Sequence, residues 1–265
     1  ASMTTVLATG GSYTTMPLTQ TTTYYVVETD ANGCMSNSVA VMAVVNPLPT
    51  APSVATPMMI CEGEDVILSA TGSGTGDLVF YDNAMTQIAT VAMAGTPTQV
   101  FNVGALLAGT YTFYATESDG TCESAMVAIN VTVNALPTSP MTNDTAICFG
   151  NAVTLMATAT GSVNWYSDAA LTNLLATGSS YNTGTLTTTT SYFVTQVDAN
   201  GCESNDTTVI VTVNPLPVDP IAMNDTICSG DTATLMAVGT GGTLEWYDAS
   251  MTTVLATGGS YTTMP

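Results

Sequence analysis

Lysine, arginine and histidine are all absent from the 265 residues, and the formal net charge is −20. Ordinary usage, with about a quarter of residues charged, predicts roughly 30 basic side chains in a chain of this length. With none, nothing neutralises phosphates, so binding nucleic acid or an anionic membrane through a basic patch is excluded. A Ser-His-Asp triad, a Cys-His pair, a histidine metal site, a Schiff-base lysine and an arginine clamp are excluded with them. Salt bridges between side chains cannot form, so stability has to come from burial, backbone pairing and disulfides. No run of 18 apolar residues occurs, and no membrane-spanning helix is expected. No signal peptide opens the chain, whose start reads as the middle of something longer.

What is present is repetition. Residues 249–265 (ASMTTVLATGGSYTTMP) are identical to residues 1–17, which sets an outer period of 248. Such a match is expected of a window cut from a longer array of near-identical copies. An inner period lies within it, because Asn-Pro-Leu-Pro or Asn-Ala-Leu-Pro closes a β-rich stretch at Asn46–Pro49, Asn134–Pro137 and Asn214–Pro217. These links cannot join a ladder and read as short, stiff, Pro-rich spacers. The expected organisation is two complete domains, 50–137 and 138–217, and a third that is split. Its N-terminal half is 218–265 and its C-terminal half is 1–49, supplied by the next copy, either along one chain or between molecules.

Within 138–217, turn signals arrive every 8 to 12 residues and the runs between them alternate in polarity. Strands are expected at 152–159, 162–167, 174–177, 180–186, 191–197 and 207–213. Six or seven short Thr/Val/Tyr-rich strands with no helical period predict an all-β fold, a tandem series of immunoglobulin-like antiparallel β-sandwiches. Asp30–Gly33 and Asp198–Gly201 (Asp-Ala-Asn-Gly), with Ser118–Thr121 as counterpart, are read as hairpin turns whose glycine supplies a positive φ.

The six cysteines form two columns. Cys61, Cys148 and Cys228 each precede a strand in Ile-Cys-x-Gly; Cys34, Cys122 and Cys202 each follow a hairpin turn. One disulfide per domain is the reading of this pattern: Cys61 with Cys122, Cys148 with Cys202, and Cys228 with the Cys34 of the next copy. It implies an oxidising, extracytoplasmic compartment. Two thiolates per domain without histidine make a poor metal site.

Ile-Cys-x-Gly, Thr-Leu-x-Ala, Trp-Tyr (Trp165–Tyr166, Trp246–Tyr247, with Phe80–Tyr81 in their place), Leu-Ala-Thr-Gly, Thr-Thr-Thr-x-Tyr (Thr21–Tyr25), Asn-Gly-Cys and Val-Asn-Pro-Leu-Pro recur through the chain. Together they resemble the immunoglobulin-like repeats of giant secreted surface proteins, adhesins of gliding Bacteroidota. The resemblance implies export by that phylum's own secretion system, and a role in surface adhesion, gliding motility or filament formation. Those repeats ordinarily carry some lysine, and this chain departs from them there. The resemblance also implies O-glycosylation at short Asp-Thr motifs, found here at Thr145, Thr207, Thr226 and Thr232; capping of strand edges is the alternative use of the same residues.

Calcium is the natural cation for an acidic array, and Asp30, Asn32, Asp198 and Asn200 occupy turns where it could sit. No EF-hand spacing is present, and an Asp opening a tight turn ordinarily satisfies backbone amides. Otherwise no cofactor is expected. Paired carboxylates could support glycoside hydrolysis, but the acids recur with the repeats instead of gathering, so no enzyme is expected. Trp165 and Trp246 are read as core aromatics in preference to sugar-stacking platforms.

Fifteen methionines are many, and several stand in polar columns: Met35 aligns with Glu123 and Glu203, Met126 with Ser38 and Asp206, Met156 and Met236 with Ser69. Either exposed methionines pack against neighbouring chains, or these positions carry lysine, an unbranched side chain of similar shape, in the native material. The second reading accounts for absent lysine and surplus methionine together.

The function expected is that of a structural repeat segment in an extracellular fibre or giant cell-surface adhesin. Its partners are neighbouring copies of itself, with no nucleic acid and no membrane insertion. The alternative is a module binding a glycan or another surface through its end loops, for which the extended loop expected at Ala89–Gly104 is the candidate.

Overall fold

The computed structural model describes residues 5–264. All regular structure among them is β, and the chain divides between Leu136 and Pro137 into two compact units.

The domain at 138–217 has one large and one small sheet. In the large sheet the strands run Thr145–Cys148, Thr207–Asn214, Thr190–Val197, Ser162–Tyr166, Leu174–Thr177, and Thr154–Met156 pairs with Ser180–Asn182 in the small one. Alternation places Leu155 inside and Met156 outside (4% and 64% exposed). Leu155, Val163, Trp165, Tyr192, Val194, Val209 and Val211 make the core. Trp165 is fully buried, stacks on Tyr181 at 5.9 Å between ring centroids, and donates from Nε1 to the Gly178 carbonyl at 2.8 Å. The domain at 50–137 repeats this plan, with Met58–Cys61, Val127–Asn134, Gly109–Ser118, Asp77–Tyr81 and Gln87–Ala92 facing Ser53–Val54, Asp65–Thr71 and Thr98–Ala105. Phe80 takes the tryptophan's place in its core.

Three expectations are corrected. The sandwich is not wholly antiparallel, since Thr145–Cys148 runs parallel to the last strand, with Cys148 opposite Asn214, and Met58–Cys61 does the same against Val127–Asn134. The strands expected at 152–159 and 180–186 contract to Thr154–Met156 and Ser180–Asn182. Ala89–Gly104 is not an extended loop, because its extra residues lengthen the strands Gln87–Ala92 and Thr98–Ala105 on either side of a short turn.

The two remaining segments are less complete. Residues 18–49 carry one antiparallel pair, Thr22–Val26 with Val39–Ala43. Residues 218–264 carry a three-stranded sheet (Ile221–Met223, Thr234–Val238, Ser260–Thr262) and the pair Glu245–Tyr247 with Val254–Thr257.

Candidate functional site

The turn carboxylates are engaged by their own backbones. Asp30 Oδ1 accepts the amides of Asn32 and Cys34 at 2.9 and 2.8 Å, and Asp198 Oδ1 accepts those of Asn200 and Cys202 at 2.9 Å each. The glycine closing each turn has the positive φ it needs, 82° at Gly33 and 85° at Gly201. The amide of Cys34, foremost, holds the Asp30 carboxyl below the usual carboxylate range, and the amides of Cys122 and Thr172 do the same for Asp119 and Asp168. Among the described residues no three or more Asp, Glu or Cys side chains gather where a metal ion could be held. Of the threonines with an Asp-Thr motif, Thr226 and Thr232 are exposed, while Thr145 and Thr207 are half-buried and Thr207 donates its hydroxyl to the Pro140 carbonyl at 2.7 Å.

Two polar columns were not anticipated. Tyr166 donates to Glu203 Oε1 at 2.9 Å, as Tyr81 does to Glu123 Oε1 at 2.7 Å. Burial, reinforced by the facing carboxylate, raises both phenols above their ordinary range. The second column is Gln196 and Glu117, both buried. Gln196 Oε1 accepts the amides of Thr160 and Gly161, and its Nε2 donates to the Thr138 carbonyl; Glu117 accepts the Ser73 amide at 2.7 Å. Gln196 thereby fixes where the chain enters its domain. The available signal was a long polar side chain near the end of a strand otherwise made of apolar, aromatic and small polar residues.

The cysteine pairs expected within a domain are not formed. Cys34, Cys122, Cys148 and Cys228 are free thiols, whereas Cys61 and Cys202 are disulfide-bonded. The reason is strand direction. Cys148 lies beside Asn214, at the end of the last strand, while Cys202 sits in the turn before that strand's first residue, Thr207. Eight residues of strand separate the two levels by about 23 Å at 3.3 Å per residue, and a disulfide needs Cα atoms within about 7 Å. Cys61 and Cys122 bracket Val127–Asn134 in the same way.

The most distinctive surfaces are those of the two sparsely paired segments, 18–49 and 218–264. In 138–217 the Ser162–Tyr166 strand is flanked on both sides, by Leu174–Thr177 and by Thr190–Val197. Its counterpart Glu245–Tyr247 pairs only with Val254–Thr257 among the described residues, and Thr22–Val26, counterpart of Thr190–Val197, pairs only with Val39–Ala43. Core positions are laid bare as a result: Val26 is 52% exposed where Val194 is 0%, and Val41 is 54% exposed where Val209 is 1%. Glycines report the same gap. A Cβ on Gly161 would stand 2.2 Å from the Val197 carbonyl, and on Gly76 2.3 Å from that of Ser118, but on Gly242, the equivalent residue, it meets nothing within 4 Å.

Comparisons with known proteins place these domains. Solved structures to which the chain is similar include fibronectin(III)-like modules of CbhA from Clostridium thermocellum, with 19% identity, TM-score 0.37, and coverage of 62% of this chain and 94% of that one. Another is the N-terminal Ig1-2 module of the Drosophila receptor tyrosine phosphatase DLAR, with 12% identity, TM-score 0.25, and coverage of 62% and 99%. A third is a Ca2+-stabilised ice-binding adhesin of an Antarctic bacterium, with 18% identity, TM-score 0.36, and coverage of 84% and 66%. No curated protein matches. A family profile, described as Ig-like domain, CHU_C associated, matches residues 1–47, 49–135, 137–215 and 217–265. With nearly every residue matched, the chain belongs to the CHU_C-associated Ig-like domain family, as a tandem series of its repeats.

Proposed function

We propose that the chain is a structural repeat segment of an extracellular fibre or cell-surface adhesin, in which residues 18–49 of one copy complete the domain begun by residues 218–265 of the copy before. The observation that carries this is the exposure in the half-domains of positions buried in the complete one, Val26 against Val194 and Val41 against Val209. By the register of the complete domain, where Trp165 faces Val194 and Tyr166 faces Phe193, Trp246 faces Val26 and Tyr247 faces Tyr25 of the following copy. The open edges supply backbone donors and acceptors, the usual basis of strand addition. An extracytoplasmic location fits the bonded Cys61 and Cys202. A binding role through end loops has less support, since the stretch Ala89–Gly104 is spent on strands.

The test is calorimetry of the single chain and of a chain two periods long, each with and without Gly242→Ala. In the longer chain the completed domain gains a cooperative transition like that of 138–217, and Gly242→Ala lowers it. In the single chain the substitution changes nothing. Identical melting profiles for the two lengths, or indifference of the longer chain to the substitution, refute the proposal.

A further inference from the structure

The tyrosine that follows the core aromatic, Tyr81, Tyr166 or Tyr247, donates its hydroxyl to a carboxylate each time, but the carboxylate comes from different places. In the complete domains it lies in the turn before the last strand: Tyr166 donates to Glu203 at 2.9 Å and Tyr81 to Glu123 at 2.7 Å. Glu203 Oε1 also accepts the hydroxyl of Thr195 at 2.5 Å, and Thr116 holds the same register in 50–137. Two residues before the tyrosine stands an uncharged side chain, Asn164 or Val79. In 218–264 that position is Glu245, and Tyr247 donates to its Oε2 at 2.6 Å.

Segment 18–49 is altered to match. Met35 stands in the backbone place of Glu203 and Glu123, since it bridges Thr29 as they bridge Val197 and Ser118. The Ser36 amide bonds the Glu28 carbonyl as those of Ser204 and Ser124 bond Gln196 and Glu117. By the same register Val27 replaces Thr195. Three positions thus change together, from Glu203, Thr195 and Asn164 to Met35, Val27 and Glu245. One segment brings its own carboxylate to the tyrosine, and the other has given up both the carboxylate and the hydroxyl beside it.

We propose that this exchange selects which segments complete one another: 218–264 accepts the 18–49 stretch of a neighbouring copy and rejects the equivalent stretches of the complete domains. The proposal rests on the completion argued above. Core residues cannot make this choice, because Trp246 and Val26 repeat Trp165 and Val194. Set against the turn that carries Glu203, Tyr247 would hold two carboxylates on one hydroxyl, in a chain with no basic side chain to offset them. Conversely, 18–49 set against Ser162–Tyr166 would leave Tyr166, 8% exposed, facing Met35 and Val27 with no carboxylate to accept its hydroxyl. Each mismatch is disfavoured on the order of tenfold, the scale of a polar group buried without its partner.

The test is a double-substitution cycle, read by calorimetry in a chain two periods long, with Glu245→Asn in the first copy and Met35→Glu in the second. Each alone is expected to lower the melting temperature of the completed domain by roughly 5–15 °C, and the two together to recover most of the loss. Losses that simply add overturn the proposal. If the unsubstituted two-period chain lacks the extra cooperative transition, completion itself is refuted and the proposal falls with it. A mirror cycle within 138–217 of the single chain needs no completion. There Glu203→Met with Thr195→Val should lower the transition, Asn164→Glu alone should lower it as well, and the three together should recover it; no recovery overturns the exchange.

Discussion

Removing the indole of Trp165 tests the packing account most directly, because the chain holds an internal control for it. The side chain is 0% exposed. Roughly 250 Å² of buried aromatic surface at about 25 cal/mol per Å² gives an upper bound of about 6 kcal/mol. Partial collapse around the cavity brings the expected cost of Trp165→Ala to about 3–5 kcal/mol, a large share of the roughly 5–15 kcal/mol that holds a domain folded. At about 4–8 °C per kcal/mol for a domain of this size, the 138–217 transition falls by about 15–30 °C. Trp165→Phe guards against outright unfolding: Phe80 fills the same position in 50–137, so the ring fits, and roughly half the loss is expected. Trp246 makes the equivalent bond, Nε1 to the Gly258 carbonyl at 2.9 Å, but on a strand with a single partner, Val254–Thr257, and it is partly exposed. Trp246→Ala in the single chain costs about 1 kcal/mol, on the scale of one hydrogen bond. Differential scanning calorimetry resolves both. Equal losses at the two positions, or less than about 1 kcal/mol at Trp165, would refute the assignment of one as core and the other as an unfinished core.

Gly161→Ala should destabilise 138–217 strongly, since the added carbon lies 2.2 Å from the Val197 carbonyl; an unchanged melting temperature counts against the strand spacing described. Tyr166 has its phenol pKa raised by burial and by Glu203. The contribution is therefore complete below the unfolded value near 10 and is lost as pH rises through the folded one; denaturant titrations should show stability falling in that alkaline range, and Tyr166→Phe should remove that component. The turn aspartates work in the opposite sense. Asp119 and Asp168 are lowered by backbone amides, so their stabilisation is present above about pH 4 and fades as pH falls through the depressed values; a midpoint that rises on acidification would contradict this. After reduction and denaturation, trypsin should leave the chain uncut, because no Lys or Arg occurs. Fragments ending at positions 35, 156 or 236 would put lysine where methionine is written.

The alternation of Val153–Met156, the Asp-Ala-Asn-Gly turns and the Trp-Tyr core strand were readable because each rests on neighbours within a few residues. The first strand, Thr145–Cys148, was not: it is four residues long, and its partner lies more than sixty residues away, in a direction no local pattern specifies. The cysteine pairing failed for the same reason. Spacing along the chain identified the two columns but carried no information on which end of a strand each occupies. Identical sequences show the limit most plainly. Residues 254–257 and 260–262 are strands, paired with Glu245–Tyr247 and Thr234–Val238, while their exact copies at 6–9 and 12–14 are not strands in this structure.

The parallel pairing of first and last strands bears on load. A pull along the array draws the Thr145–Cys148 strand toward the entrance of its domain and the Thr207–Asn214 strand toward the exit, in opposite directions along a common axis. The ladder from Thr145–Val211 to Cys148–Asn214 is then sheared as a block, with its hydrogen bonds strained together; an antiparallel hairpin pulled at its open end would instead unzip, its hydrogen bonds breaking in sequence. Rupture is governed by the rate of unfolding under force, not by equilibrium stability. Each domain thus places its load-resisting element directly between its two points of attachment.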